Sequence, residues 1–193
     1  MNEPLDIHFP LRKGRAHEVM GASAPCFAAI MCGLGKKPTL WITESWQREH
    51  ISPSGLAPFC DPQKIILARG QSHLEVLAAS EEALRSGAIS TLVVELNKPL
   101  TLTIGRRLQL AAETGKTTGI FMISESAGSN AAETRWQCAP VFDAEDSTLQ
   151  EWKLIKNKSG TLGVWRIRWD EQTRYITVVS ETGKRAHFAR AAG

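Results

Sequence analysis

The chain has 193 residues, 42% apolar and 22% charged, a balance that fits one soluble globular domain and excludes disordered, collagenous and coiled-coil classes. No apolar run is long enough to span a membrane, and the opening MNEPLDIHFPLRKGR lacks the apolar stretch of a signal peptide, so a cytoplasmic location is expected. The net charge of +3 is uneven: residues 151–193 hold nine Lys and Arg against four Asp and Glu, and the first 150 are slightly acidic. A basic end suits DNA or an acidic partner surface, and equally a solvated tail. Cys26, Cys32, Cys60 and Cys138 contain no CxxC pair and the five histidines show no metal spacing. Reduced thiols acting as small buried hydrophobes are therefore expected, with no structural zinc.

Taken in chain order, residues 16–20 read as a short strand ending at Gly21. Pro25 then stands at the start of a helix, where its missing N–H costs nothing, and Phe27, Ile30, Met31 and Leu34 mark a buried helix face. Residues 39–43 (TLWIT) and 64–68 (KIILA) are strands, separated by a Pro/Ser/Gly-rich loop with a short helix. Ser72 and Glu75 form a capping box for a helix that carries Leu74, Leu77, Ala78 and Leu84 on one face and closes at Gly87. Residues 89–96 (ISTLVVEL) are apolar nearly throughout, as a parallel strand covered on both faces should be. A second helix follows over 103–114, with Ile104, Leu108 and Ala111 inward, and then a buried strand over 119–124. This alternation predicts an α/β fold with right-handed crossovers.

After Ser126 the pattern changes. A loop over 127–132 precedes an added strand over 134–138 and an acidic turn over 143–146. From Leu162 the period is two: Trp165, Ile167 and Trp169 face one way, Val164, Arg166 and Arg168 the other, and 175–179 return as the second arm of a β-hairpin. The expected organisation is an N-terminal extension (1–15), an α/β core (16–140), a C-terminal hairpin region of the same domain (141–180) and a frayed basic tail (181–193).

The first strand, glycine and helix occupy the place of a phosphate-binding loop, G-x-x-x-x-G-K-[ST]. Here the segment is Gly21-Ala-Ser-Ala-Pro25-Cys26-Phe27-Ala28. Phe27 replaces the cationic lysine, Ala28 replaces the hydroxyl that holds Mg²⁺, Pro25 lacks an N–H, and Cys26 puts a Cβ where glycine admits the phosphates. Together these losses argue that the loop does not hold ATP, and no cofactor is expected. Glu44, Glu95 and Glu125 remain at strand ends, where open parallel sheets bind ligands. They are either a metal site or solvated residues at strand exits.

The run HEVMGASAPCFAAIMCGLGKKPTLWITE (17–44) resembles the core of the RecA superfamily with its phosphate loop erased. The segments EEALRSGAISTLVVELN (81–97), LTIGRRLQLAAETGKTTGIFMI (102–123) and ETRWQCAP (133–140) resemble the ImuA family, RecA-like accessory proteins of the bacterial SOS mutagenesis cassette related to the cell-division inhibitor SulA. The resemblance implies a RecA-like mostly parallel sheet and a non-catalytic adaptor role in translesion synthesis. Its implied partners are an ImuB-like relative of Y-family polymerases, an error-prone polymerase and RecA. No catalytic residues carry over; Glu44 and Glu95 lie near RecA's acidic catalytic and metal positions, but beside Phe27 and Ala28 they have no catalytic part. A SulA-like division inhibitor and a metal-dependent hydrolase using the strand-end carboxylates are the alternatives.

Candidate partner-binding residues follow from exposure patterns. Trp46, beside Arg48, sits in the polar stretch SWQREH, as a binding hot spot or as a lid over the vacated nucleotide site. Arg106 and Arg107 are adjacent in a helix, so both cannot face the core. Arg166 and Arg168 alternate with tryptophans, a pattern that suits single-stranded DNA or, more simply, an amphipathic hairpin over a sheet edge. Lys184, Arg185 and Arg190 make the tail basic. Edge-to-edge homo-oligomers are a further possibility for a RecA-like sheet.

Overall fold

The computed structural model describes residues 3–49, 51–124 and 129–179 in full, and 185–190 by their backbone. In chain order the elements are β1 (Ala16–Met20), α1 (Ala24–Gly33), β2 (Thr39–Glu44), α2 (Pro53–Leu56), β3 (Ile65–Gly70), α3 (His73–Ser86) and β4 (Thr91–Glu95). They continue with α4 (Leu102–Gly115), β5 (Thr118–Met122), β6 (Thr134–Pro140), β7 (Leu149–Asn157), β8 (Gly163–Asp170), β9 (Tyr175–Val179) and β10 (Arg185–Arg190). The strands form one sheet in the order β10-β9-β8-β7-β6-β1-β5-β4-β2-β3. Pairs from β3 to β6 are parallel, and those from β6 to β10 antiparallel. This is the expected α/β architecture, a RecA-like sheet flanked by helices with an antiparallel C-terminal part.

Two cores sandwich the sheet. On one face α1 packs with Val19, Trp41, Val93 and Ile120 and with the aromatic residues of β6 to β8. On the other, α3 and α4 pack on Ile42, Leu92, Val94 and Phe121. The strand β4 contributes to both faces, which explains its unbroken apolar run.

Several details depart from the sequence expectation. Within the N-terminal extension, Leu5, Phe9 and Leu11 are buried in the α1 core, and the Trp165 indole N–H donates to the Glu3 carbonyl at 2.9 Å. In α3 the buried stripe is Val76, Leu77, Ser80 and Leu84, whereas Leu74 and Ala78 are exposed. Val76 packs close against β3 at Gly70, where an added Cβ would lie 2.7 Å from Val76 Cγ2. With Val76 facing the sheet, Leu74, two residues away, lands about 200° round the helix. Ser80 is tolerated in the stripe because its hydroxyl donates to the Val76 carbonyl at 2.6 Å. The capping box forms: the Glu75 N–H donates to Ser72 Oγ at 3.3 Å, and the Glu75 carboxylate reaches back to the Gln71 N–H at 2.7 Å.

The C-terminal region is a larger antiparallel unit than a hairpin. β7 lies between β6 and β8, with Trp152 and Leu154 buried, while Ile155 falls on the exposed side and breaks the apolar alternation. Arg185–Arg190, expected as frayed tail, runs antiparallel to β9 as the edge strand β10. At the opposite edge β3 exposes Ile66 and Leu67.

The central strand β1 carries two buried polar groups. Glu18 accepts from the Ser129 N–H at 2.6 Å and from Arg135 Nε at 2.8 Å, so its charge is matched inside the sheet. His17 is neutral by its partners: Nε2 lies 3.0 Å from the Arg12 carbonyl and must donate to it, leaving Nδ1 to accept from Thr134 Oγ1 at 2.7 Å. The Thr134 hydroxyl in turn accepts from the Trp136 indole at 3.0 Å. Burial, the largest cause, lowers the His17 pKa from 6.5 to about 4. An unfolded His17 therefore takes up a proton below pH 6.5 that the native one refuses until about pH 4. Stability is full above that window and falls as pH drops through it, by about 3 kcal/mol in all. Urea unfolding at pH 7 and pH 4.5 should show a loss that is smaller in a His17→Gln variant.

Candidate functional site

The carboxyl ends of β1, β2, β4 and β5 are where this architecture places ligands. The connection from β1 to α1 is only three residues, 21–23, because the helix already begins at Ala24. Gly21 has φ +92°, and a Cβ there would lie 2.3 Å from the Cys138 carbonyl oxygen, so only glycine fits between the turn and β6. Three amides around the turn bond to the protein itself: Ser23 N–H donates to the Cys138 carbonyl at 3.1 Å, Ala24 to Gly21 at 3.0 Å and Phe27 to Ser23 at 3.0 Å. Pro25 has none to give.

Phe27 is completely buried. Its ring lies 4.6 Å from Trp152, 5.5 Å from Phe9 and 5.5 Å from Trp136, centroid to centroid. Ala28 is also buried, and the half-buried Cys26 thiol is pushed up by burial, away from the thiolate. Beside this turn lies a cavity of about 280 Å³ lined by Gly21, Ala24, Pro25, Gln47, Glu95 and Asn97 among others. No lining residue is cationic and one is a carboxylate, which is poor chemistry for holding a polyphosphate.

The strand-end carboxylates do not converge. Glu95 leaves β4 on the α1 face and accepts from the Trp41 indole N–H at 2.8 Å. Glu44 leaves β2 on the α3 face, where it accepts from the Trp46 indole N–H and lies 3.3 Å from His73 Nδ1. Successive strand residues alternate faces, so these two acids cannot share one ion. Glu125 lies outside the described residues. Among the described residues, no group of three His, Cys, Asp or Glu is placed to hold a metal.

Trp46 is 60% exposed, so it is not a lid; Gln47 lines the cavity instead. Its indole is anchored to Glu44, which fixes the ring on the surface next to exposed Arg48. Arg106 and Arg107 are both exposed and diverge: Arg107 donates to Glu81 at 2.6 Å, bridging α4 to α3, while Arg106 lies beside Leu102 and Leu110. Trp165 and Trp169 face the core, and the arginines lie on the other face, with Arg168 paired to Asp146 and Arg166 4.0 Å from Glu151. The rings are thus not available for base stacking. Arg185 and Arg190 lie on β10, and Lys184 is outside the described residues.

The residues that carry the family resemblance hold the centre of the sheet. Arg135 pairs with Glu18, Trp136 is fully buried, and Gln109 accepts from the Ala16 N–H at 2.7 Å. Sequence reasoning had no signal for these partners, which join residues about a hundred positions apart. Comparison with protein-family models and with curated proteins finds no match.

Replacing Phe27 with alanine should cost about 3–5 kcal/mol, measured by chemical denaturation. Phe27→Lys, which restores the cation of a phosphate loop, should destabilise at least as much, because it buries an unpaired charge among aromatic rings.

Proposed function

We propose that this protein is a non-catalytic RecA-like adaptor in damage-induced translesion DNA synthesis, working through protein contacts. The observation that carries it is Phe27: the position where a RecA-like protein keeps its phosphate-binding cation is filled by a core aromatic. The resemblance to the ImuA family supplies the pathway and the partners, an ImuB-like protein, an error-prone polymerase and RecA. Trp46, fixed on the surface by Glu44 beside Arg48, is the leading contact residue. Aromatic and arginine anchors of this kind dominate interface energies.

Affinity capture from damaged and undamaged cells, read by mass spectrometry, should recover those named partners mainly after damage. Trp46→Ala should weaken the recovered complex by about thirtyfold, the effect of losing about 2 kcal/mol at a hot spot. Recovery of division machinery instead would favour the SulA-like alternative. Mg²⁺-dependent ATP hydrolysis lost in Glu95→Gln would overturn the non-catalytic reading.

A further inference from the structure

A second cavity lies at the opposite end of the sheet, where the parallel strands begin. It measures about 530 Å³, within the range of small-molecule sites. Lys13, Lys36, Lys37 and Lys116 line it, and none of its lining residues is acidic. Leu11, Met31 and Leu34 give it an apolar wall on the α1 side.

Its floor is built by strand register. Thr91 of β4 and Thr118 of β5 are direct partners in the parallel ladder, and each lies two residues before a side chain of the α1 core, Val93 and Ile120. Both threonines therefore point to the α1 face, into the cavity. Neither hydroxyl has a hydrogen-bond partner among the described residues, although both side chains are largely buried.

The helices α1, α3 and α4 all end at this edge, and their carboxyl ends attract cations. That attraction accounts for Lys37, whose ammonium donates to the Gly87 carbonyl at 2.6 Å. It does not account for the other three. Lys13, Lys36 and Lys116 are exposed, and their ammonium groups meet no carboxylate or hydrogen-bond acceptor among the described residues. Three helix ends of about −0.5 charge each leave four ammonium groups with an excess of positive charge. The cavity is concave, so that excess is focused within it.

We propose that this cavity binds a phosphate ester, with the phosphate held by Lys13, Lys36 and Lys116 and by the Thr91 and Thr118 hydroxyls, and the organic part on Leu11, Met31 and Leu34. The ester is a free mononucleotide or the terminal phosphate of a nucleic-acid strand; both present the same dianionic group. The site is separate from the erased phosphate loop, which lies at the other end of the strands.

Amide NMR titration of the full chain tests this with inorganic phosphate, adenosine monophosphate, and a single-stranded oligonucleotide with and without its 5′-phosphate. Saturable shifts at Ser90, Thr91 and Thr118 are expected with the phosphorylated probes. The Lys13→Gln/Lys36→Gln/Lys116→Gln variant, altered only at exposed positions, should bind at least about tenfold more weakly with an unchanged melting temperature. Thr91→Val should weaken binding without changing surface charge. Preference for the mononucleotide identifies a free ligand; preference for the 5′-phosphorylated strand over its dephosphorylated form identifies a nucleic-acid end. Absence of saturable shifts at Thr91 and Thr118 with every probe, or equal affinity in the triple variant, overturns the proposal.

Discussion

The packing of Phe27 among Phe9, Trp136 and Trp152 draws four parts of the molecule into one aromatic cluster. Through that one ring the first helix is tied to the N-terminal segment, to the last parallel strand and to the antiparallel unit. Large aromatic rings in offset contact bury much area and add pairwise attraction, so a few of them can stiffen a junction. The helix around Phe27 is buried on almost every side, including Ala28, Ala29 and Cys32, where a helix with one wet face would carry polar residues. The place of a phosphate loop's cation is filled here by a core side chain.

The two ends of the sheet consequently differ in character. At the carboxyl end the turn is closed over backbone hydrogen bonds, and the strand-end acids are bound to indole groups. At the amino end, the Thr91 and Thr118 hydroxyls and the Lys13, Lys36 and Lys116 ammonium groups stand without protein partners among the described residues. Charge and hydrogen-bonding capacity left open in a folded protein is free for solvent or ligand.

How much of this was legible in the sequence depended on distance along the chain. The alternation of strands and helices, the capping of α3 at Ser72, the left-handed Gly87 and the two-sided burial of β4 all rest on local pattern, and all appear. The missing lysine at position 27 was equally visible. The rotation of α3 was not, because Leu74, Val76, Leu77 and Ala78 offer two overlapping apolar stripes and the buried one contains the polar Ser80. β7 escaped because Ile155 and its charged neighbours blur a period of two. The opposite facing of Glu44 and Glu95 requires the strand register, and the fate of Trp46 requires knowing that Glu44 reaches its indole. No helix among the described residues is long and apolar enough to cross a membrane, in line with the composition.

The position of β1 has a consequence for how the chain is made. It is made before every other strand of this sheet, yet both its neighbours, β5 and β6, come from residues 118–140. At synthesis rates of about 5–20 residues per second, β1 waits roughly 6–24 s for them. During that wait its buried groups, His17 and Glu18 among them, have neither Thr134 nor Arg135 to meet. The nascent N-terminal half thus cannot complete a folding unit by itself, and the centre of the sheet closes only when the TRW segment emerges. A chain terminated before residue 134 would keep the pairing of β1 with β5 but lack β6, leaving one side of β1 as an exposed ladder edge of the kind that drives aggregation.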